Sequence, residues 1–278
     1  LISGYGSAVS SGVFSIKTSA AGTNGVSGAL VFSSGNTTEG GAGSITLRTG
    51  SALLGQGGNV SVVIGRGNSQ SGGRIAVSAG ESTTATGGAV SMISGWGNGK
   101  SSGAFSIKTA AATNGVSGAM SFVTGDSTDG ITGSIVLRTG TGASSAAGSV
   151  SVAVGAGAIA NPGGRIDMSS GSSTLKTGGA FSMVSGFGTA TSSGSFSIKT
   201  PNAGQNGLSG ALKFTTGAAT KGISGAMVLR TGSANNGTGG SISILTGSGT
   251  TAAGGRVTVS AGESTASAVG GAVSLVSG

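Results

Sequence analysis

Residues 72–95 read GGRIAVSAGESTTATGGAVSMISG. Apolar side chains alternate with small or polar ones at Ile75 and Val77, and again at Val90 and Met92. A period of two is the signature of a strand with one apolar face. Between the two runs lies Gly80-Glu-Ser-Thr-Thr-Ala-Thr-Gly87, a polar, turn-rich loop. The stretch therefore predicts strand, loop, strand.

The same unit recurs along the whole chain. Unit starts fall at Gly12, Gly28, Gly43, Gly58, Gly73 and Gly88, with steps of 15 or 16 residues. A second, longer period of about 91 residues shows in FSIKT at Phe14, Phe105 and Phe196, and in LRTG at Leu47, Leu137 and Leu229. Eighteen units and three super-repeats, about 12–102, 103–193 and 194–278, fill the 278 residues. Such a repeat leaves no room for a separate catalytic domain and predicts one continuous body of stacked units. The chain opens on LISG and closes on LVSG, so it reads as a window of a longer periodic chain.

The outward position of each unit decides how many units make one coil. Odd units carry Lys17, Arg48 and Ser78 there, whereas even units carry Ser33, Val63 and Ile93. Two kinds of strand imply two sheets. The expected fold is all-β: a parallel β-solenoid (β-helix) with a flattened two-sheet coil of about 30 residues, two units per rung, and nine rungs. Its core would hold Phe14, Ile16, Leu30, Phe32, Ile45, Leu47, Val60, Val62, Ile75, Val77, Val90, Met92 and their period-mates. Small residues at Thr18, Ser34, Thr49, Ala79 and Ser94 would taper the core at the corners, their hydroxyls bonded to corner backbone.

Composition narrows the function. Gly supplies 61 residues, charged residues only 7%, and the formal net charge is +8. With no Cys and no His, thiol nucleophiles, imidazole bases, disulfides and the common zinc ligand sets are absent. The six acids, Glu39, Glu81, Asp126, Asp129, Asp167 and Glu263, are few and scattered over five of the eighteen units. The chain therefore reads as a non-enzyme with no cofactor and no metal. No run approaches a membrane span, and membrane insertion is not expected.

Three sets of residues are candidates for contacts. A basic stripe is expected from Lys17, Arg48, Arg74, Lys108, Arg138, Arg165, Lys199, Arg230 and Arg256. It suits an anionic polysaccharide or serves as a solvated face; nucleic acid is not expected, because aromatic platforms are missing beside it. A lateral apolar strip is expected from Val63, Ile93, Val123, Val184, Leu245 and Val276. The loop aromatics Tyr5, Trp96 and Phe187 occupy one position per super-repeat, between glycines. They suit sugar stacking, an interchain contact or a lid over a core edge. Asn36 and Asn236 stand in sequons that permit N-glycosylation of a secreted protein.

The series SGALVFSSGNTTEGGAGSITLRTG resembles the Gly/Ser/Thr-rich β-solenoid repeats of extracellular fibres, coats and adhesins. That resemblance implies an extracellular or cell-surface structural glycoprotein. The expected function is a filament or surface fibre built by end-to-end and lateral self-association of the chain. The alternative is a binding solenoid: an adhesin stalk, or an anionic-glycan-binding or ice-binding module.

Overall fold

The structure is a computed structural model that describes residues 2–7, 10–68, 71–158, 162–250, 253–265 and 268–277. Leu1 and Gly278, the outermost residues of the two ends, lie outside the described residues. The chain divides into two units, Leu1–Leu137 and Arg138–Gly278.

The expected all-β solenoid is corrected by this structure. Among the described residues there is no helix and no strand, so neither sheet, rung nor β-helical coil is formed. The expected core is absent as well: no apolar side chain among the described residues is buried. The accessible surface is 27650 Å² for 25.5 kDa. A compact chain of that mass would expose roughly 10,000 Å² and an extended one about 37,000 Å². The isolated chain therefore stays much nearer the open limit.

The physical reason lies in what each unit can offer. A segment of about seven residues brings two or three large apolar side chains. The Gly-rich connections on either side lose more backbone freedom on ordering than any other residue type. Little burial stands against a large entropy cost. The backbone bonds that do form are local. Most run from a unit-start glycine to the glycine that ends the preceding segment, as from Gly88 N–H to Gly80 O at 2.9 Å and from Gly103 N–H to Gly95 O at 2.9 Å; Gly25 to Gly22 and Gly207 to Gly204, at 3.3 Å, close short turns within loops. Such bonds close loops; they do not pair segments.

Period two nevertheless leaves a trace. Ile75 and Val90 are 56% and 52% exposed, whereas the outward Val63 and Ile93 are 83% and 90% exposed. The difference is not uniform, since inward Leu275 is 90% exposed beside outward Val276 at 89%, and neither set is buried.

The sheltered points are elsewhere. The described residues that are less than fully open sit at the loop necks: Ser3, Thr49, Ala79, Ser94, Thr124, Thr139, Ser185 and Ala261, each just before a segment-ending glycine. Gly6, Gly97 and Gly188 join them, each just after a loop aromatic.

Every neck whose Gly–Gly bond is shorter than 3.0 Å carries Ser or Ala, although Ser34 leaves Gly43 and Gly35 without such a bond. Behind Ser3, Ala79, Ser94, Ser170, Ser185 and Ala261 the Gly–Gly bond measures 2.8–2.9 Å. Behind Thr246 it lengthens to 3.1 Å, and behind Val154 to 3.4 Å. A β-branched residue holds its second γ atom where the returning glycine must pass. At Gly58 the same crowding shows directly, because a Cβ there would lie 3.0 Å from the Thr49 Cβ. Thus neck hydroxyl residues act mainly through carbon packing. Hydroxyl bonds in the loops include those of Ser82, Ser127 and Ser173, whose Oγ atoms accept from Ala85, Gly130 and Lys176 N–H at 2.9–3.0 Å.

Candidate functional site

Two clefts recur at one position of the super-repeat. Arg48, Thr49, Gly50 and Ser51 line a cleft of about 480 Å³. Arg230, Thr231, Gly232 and Ser233 line a cleft of about 350 Å³. The intervening super-repeat carries Arg138-Thr-Gly-Thr141 at this position. Each cleft follows a segment that ends in β-branched Thr, the neck type that resists closure. The floor is glycine, and a Cβ on Gly50 or Gly232 would meet nothing within 4 Å.

In the unit Arg138–Gly278, an apolar cleft of about 290 Å³ lies next along the chain. Phe214, Met227, Val228 and Leu229 line it, immediately ahead of Arg230. Here side chains of the expected core approach one another, although Phe214 remains 61% exposed.

The aromatic loops are built differently. Trp96 and Phe187 sit in loops pinned by Gly–Gly bonds of 2.9 Å, Gly103 to Gly95 and Gly194 to Gly186. The chain then doubles back tightly. A Cβ on Gly188 would lie 2.5 Å from the Ser192 carbonyl oxygen, and one on Gly97 would overlap the Ser101 carbonyl oxygen. Glycine at both positions is a steric requirement of the turn. Tyr5, Trp96 and Phe187 all face solvent. They do not lid a core edge, since no core is formed among the described residues.

The expected basic residues Lys17, Arg48, Arg74, Lys108, Arg138, Arg165, Lys199, Arg230 and Arg256 are all exposed. One of them is neutralised. Arg165 Nη2 meets Asp167 Oδ2 at 2.7 Å. Its period-mates Arg74 and Arg256 have Ala76 and Thr258 where Asp167 stands, so the local acid is missing there. Among the described residues no acid lines either Arg-Thr-Gly-Ser cleft.

Val63, Ile93, Val123, Val184, Leu245 and Val276 are among the most exposed apolar side chains, at 83–90%. Asn36 is exposed, and the adjacent Thr37 Oγ1 donates to the Glu39 carbonyl at 2.8 Å. Asn236 is exposed in the left-handed region, with φ 62°. No group of three or more His, Cys, Asp or Glu among the described residues could hold a metal ion. Among them, too, no helix is long and apolar enough to cross a membrane.

The serines of the clefts, Ser51 and Ser233, were not singled out by unit spacing. The available signal was the shared Leu-Arg-Thr-Gly-Ser at 47–51 and 229–233, which extends one residue past the strand-like segment. No protein-family model, no curated protein and no solved structure matches this chain.

Proposed function

We propose that the chain is an extracellular or cell-surface structural protein that assembles with further copies of itself into a filament or fibre. The observation that carries this reading is the exposure of every large apolar side chain described, repeated at 15–16-residue spacing through the sequence. Soluble monomers rarely leave contiguous apolar surface of more than a few hundred Å² uncovered. Burying each such side chain against a neighbour contributes about 1.5–3 kcal/mol. The occupant that fits is a second copy, because it carries apolar groups at the same spacing and so matches over many units at once. The outward residues Val63, Ile93, Val123, Val184, Leu245 and Val276, 83–90% exposed, recur in the even units and are available to such a neighbour. The net charge of +8 opposes association until salt or a counter-anion screens it.

The test is sedimentation and electron microscopy over a range of concentrations. Growth into fibres is expected, with a higher threshold concentration when those six residues are changed to Ser. A monomer at every concentration, without fibres, overturns the reading. Surface labelling of intact source cells checks the location, and labelling only after permeabilisation would reject it.

A further inference from the structure

We propose that the Arg-Thr-Gly-Ser clefts at 48–51 and 230–233 are binding sites for the sulfate groups of a sulfated polysaccharide. The inference is independent of self-assembly. Four observations support it. The same four residue types line both clefts, one in each unit of the chain. Each cleft offers a guanidinium fork and two hydroxyls, a donor set that matches an oxyanion. No acid lines either cleft, in contrast to Arg165, which Asp167 already neutralises. The glycine floor leaves open space, and its backbone can approach a ligand closely.

Size and lining point to the carrier. Volumes of about 480 and 350 Å³ exceed what a bare oxyanion fills and fall within the roughly 300–1,000 Å³ of small-molecule sites. Yet neither cleft has an apolar or aromatic wall, so the ligand is hydrophilic throughout. A sulfated sugar unit meets both conditions. A nucleic acid would leave its bases without a stacking partner.

The experiment measures affinity of the full chain, kept below its assembly threshold, for dextran sulfate, unsulfated dextran and single-stranded polynucleotide. Arg48→Ser/Arg138→Ser/Arg230→Ser is compared with Lys17→Ser/Lys108→Ser/Lys199→Ser, which removes the same charge elsewhere. Dextran sulfate binding that falls at least tenfold in the Arg variant and less than threefold in the Lys variant is the expected result. Gly50→Val/Gly232→Val, which fills the clefts at constant charge, is expected to weaken binding as well. Equal losses in the Arg and Lys variants would reduce the effect to net charge and overturn the sites. So would equal binding of unsulfated dextran, tighter binding of the polynucleotide, or no dextran sulfate binding at all.

Discussion

The Gly88 amide donates to the Gly80 carbonyl oxygen across a loop of polar residues, and Ala79 is small enough to let the two glycines meet at 2.9 Å. Where Val154 replaces such a residue, the corresponding distance between Gly164 and Gly155 is 3.4 Å. Among the necks that close, the bulkier neck residue goes with the longer bond.

Neck size is therefore expected to tune local order. Ala79→Val should lengthen the Gly88–Gly80 bond, and Thr246→Ala should shorten the Gly255–Gly247 bond of 3.1 Å. A net bond strength of about 0.5–1.5 kcal/mol implies roughly two- to tenfold changes in amide exchange. Exchange at Gly88 should speed up and exchange at Gly255 should slow. Rates indifferent to neck size would reject the relationship.

The glycine after each loop aromatic is expected to resist substitution. Gly97→Ala places a Cβ against the Ser101 carbonyl oxygen, whereas Gly95→Ala meets nothing within 4 Å. Trp96 emission and the loop's amide shifts should change in the first variant and stay near the parent in the second. The reverse order would show that the loop turns some other way.

Asn236 supplies a backbone test. Its φ of 62° suits Asn, Asp or Gly and penalises other L-residues by about 1–2 kcal/mol. Asn236→Val should flip the site to negative φ, read as a changed three-bond coupling, while Asn236→Asp should keep the parent value. A coupling unchanged by Val would contradict the left-handed assignment.

Removing the local acid at Arg165 should expose one more cation without loss of order. The pair is exposed on both sides, and surface pairs contribute little. Asp167→Asn should lengthen retention on a sulfated matrix, with amide exchange nearby unchanged. Shorter retention would mean that Arg165 needs its partner to be presented.

Association should rise with ionic strength. Screening of the +8 charge shortens repulsion between copies to about 8 Å at physiological salt, while apolar contacts remain. Light scattering across a salt series checks this, and a threshold concentration that climbs with salt would point to charge-driven association instead.

The sequence by itself determined the repeat, the alternation and the chemistry that is missing. Gly12 through Gly271 mark the units, and the absence of Cys and His removes whole classes of site. It also placed Trp96 and Phe187 between glycines, which the tight turns at Gly97 and Gly188 explain. Only the tertiary structure decided whether alternation becomes a sheet. Ile75 and Val77 have the period of a strand, but period is a property of one segment, whereas a ladder needs a partner segment whose contacts repay the ordering of Gly-rich loops. In the single chain that return is too small: the glycine amides bond locally across the necks, and the apolar rows stay open to solvent. The structure likewise distinguishes Arg48 and Arg230 from the other expected cations, since these two line clefts together with the Thr, Gly and Ser that follow them.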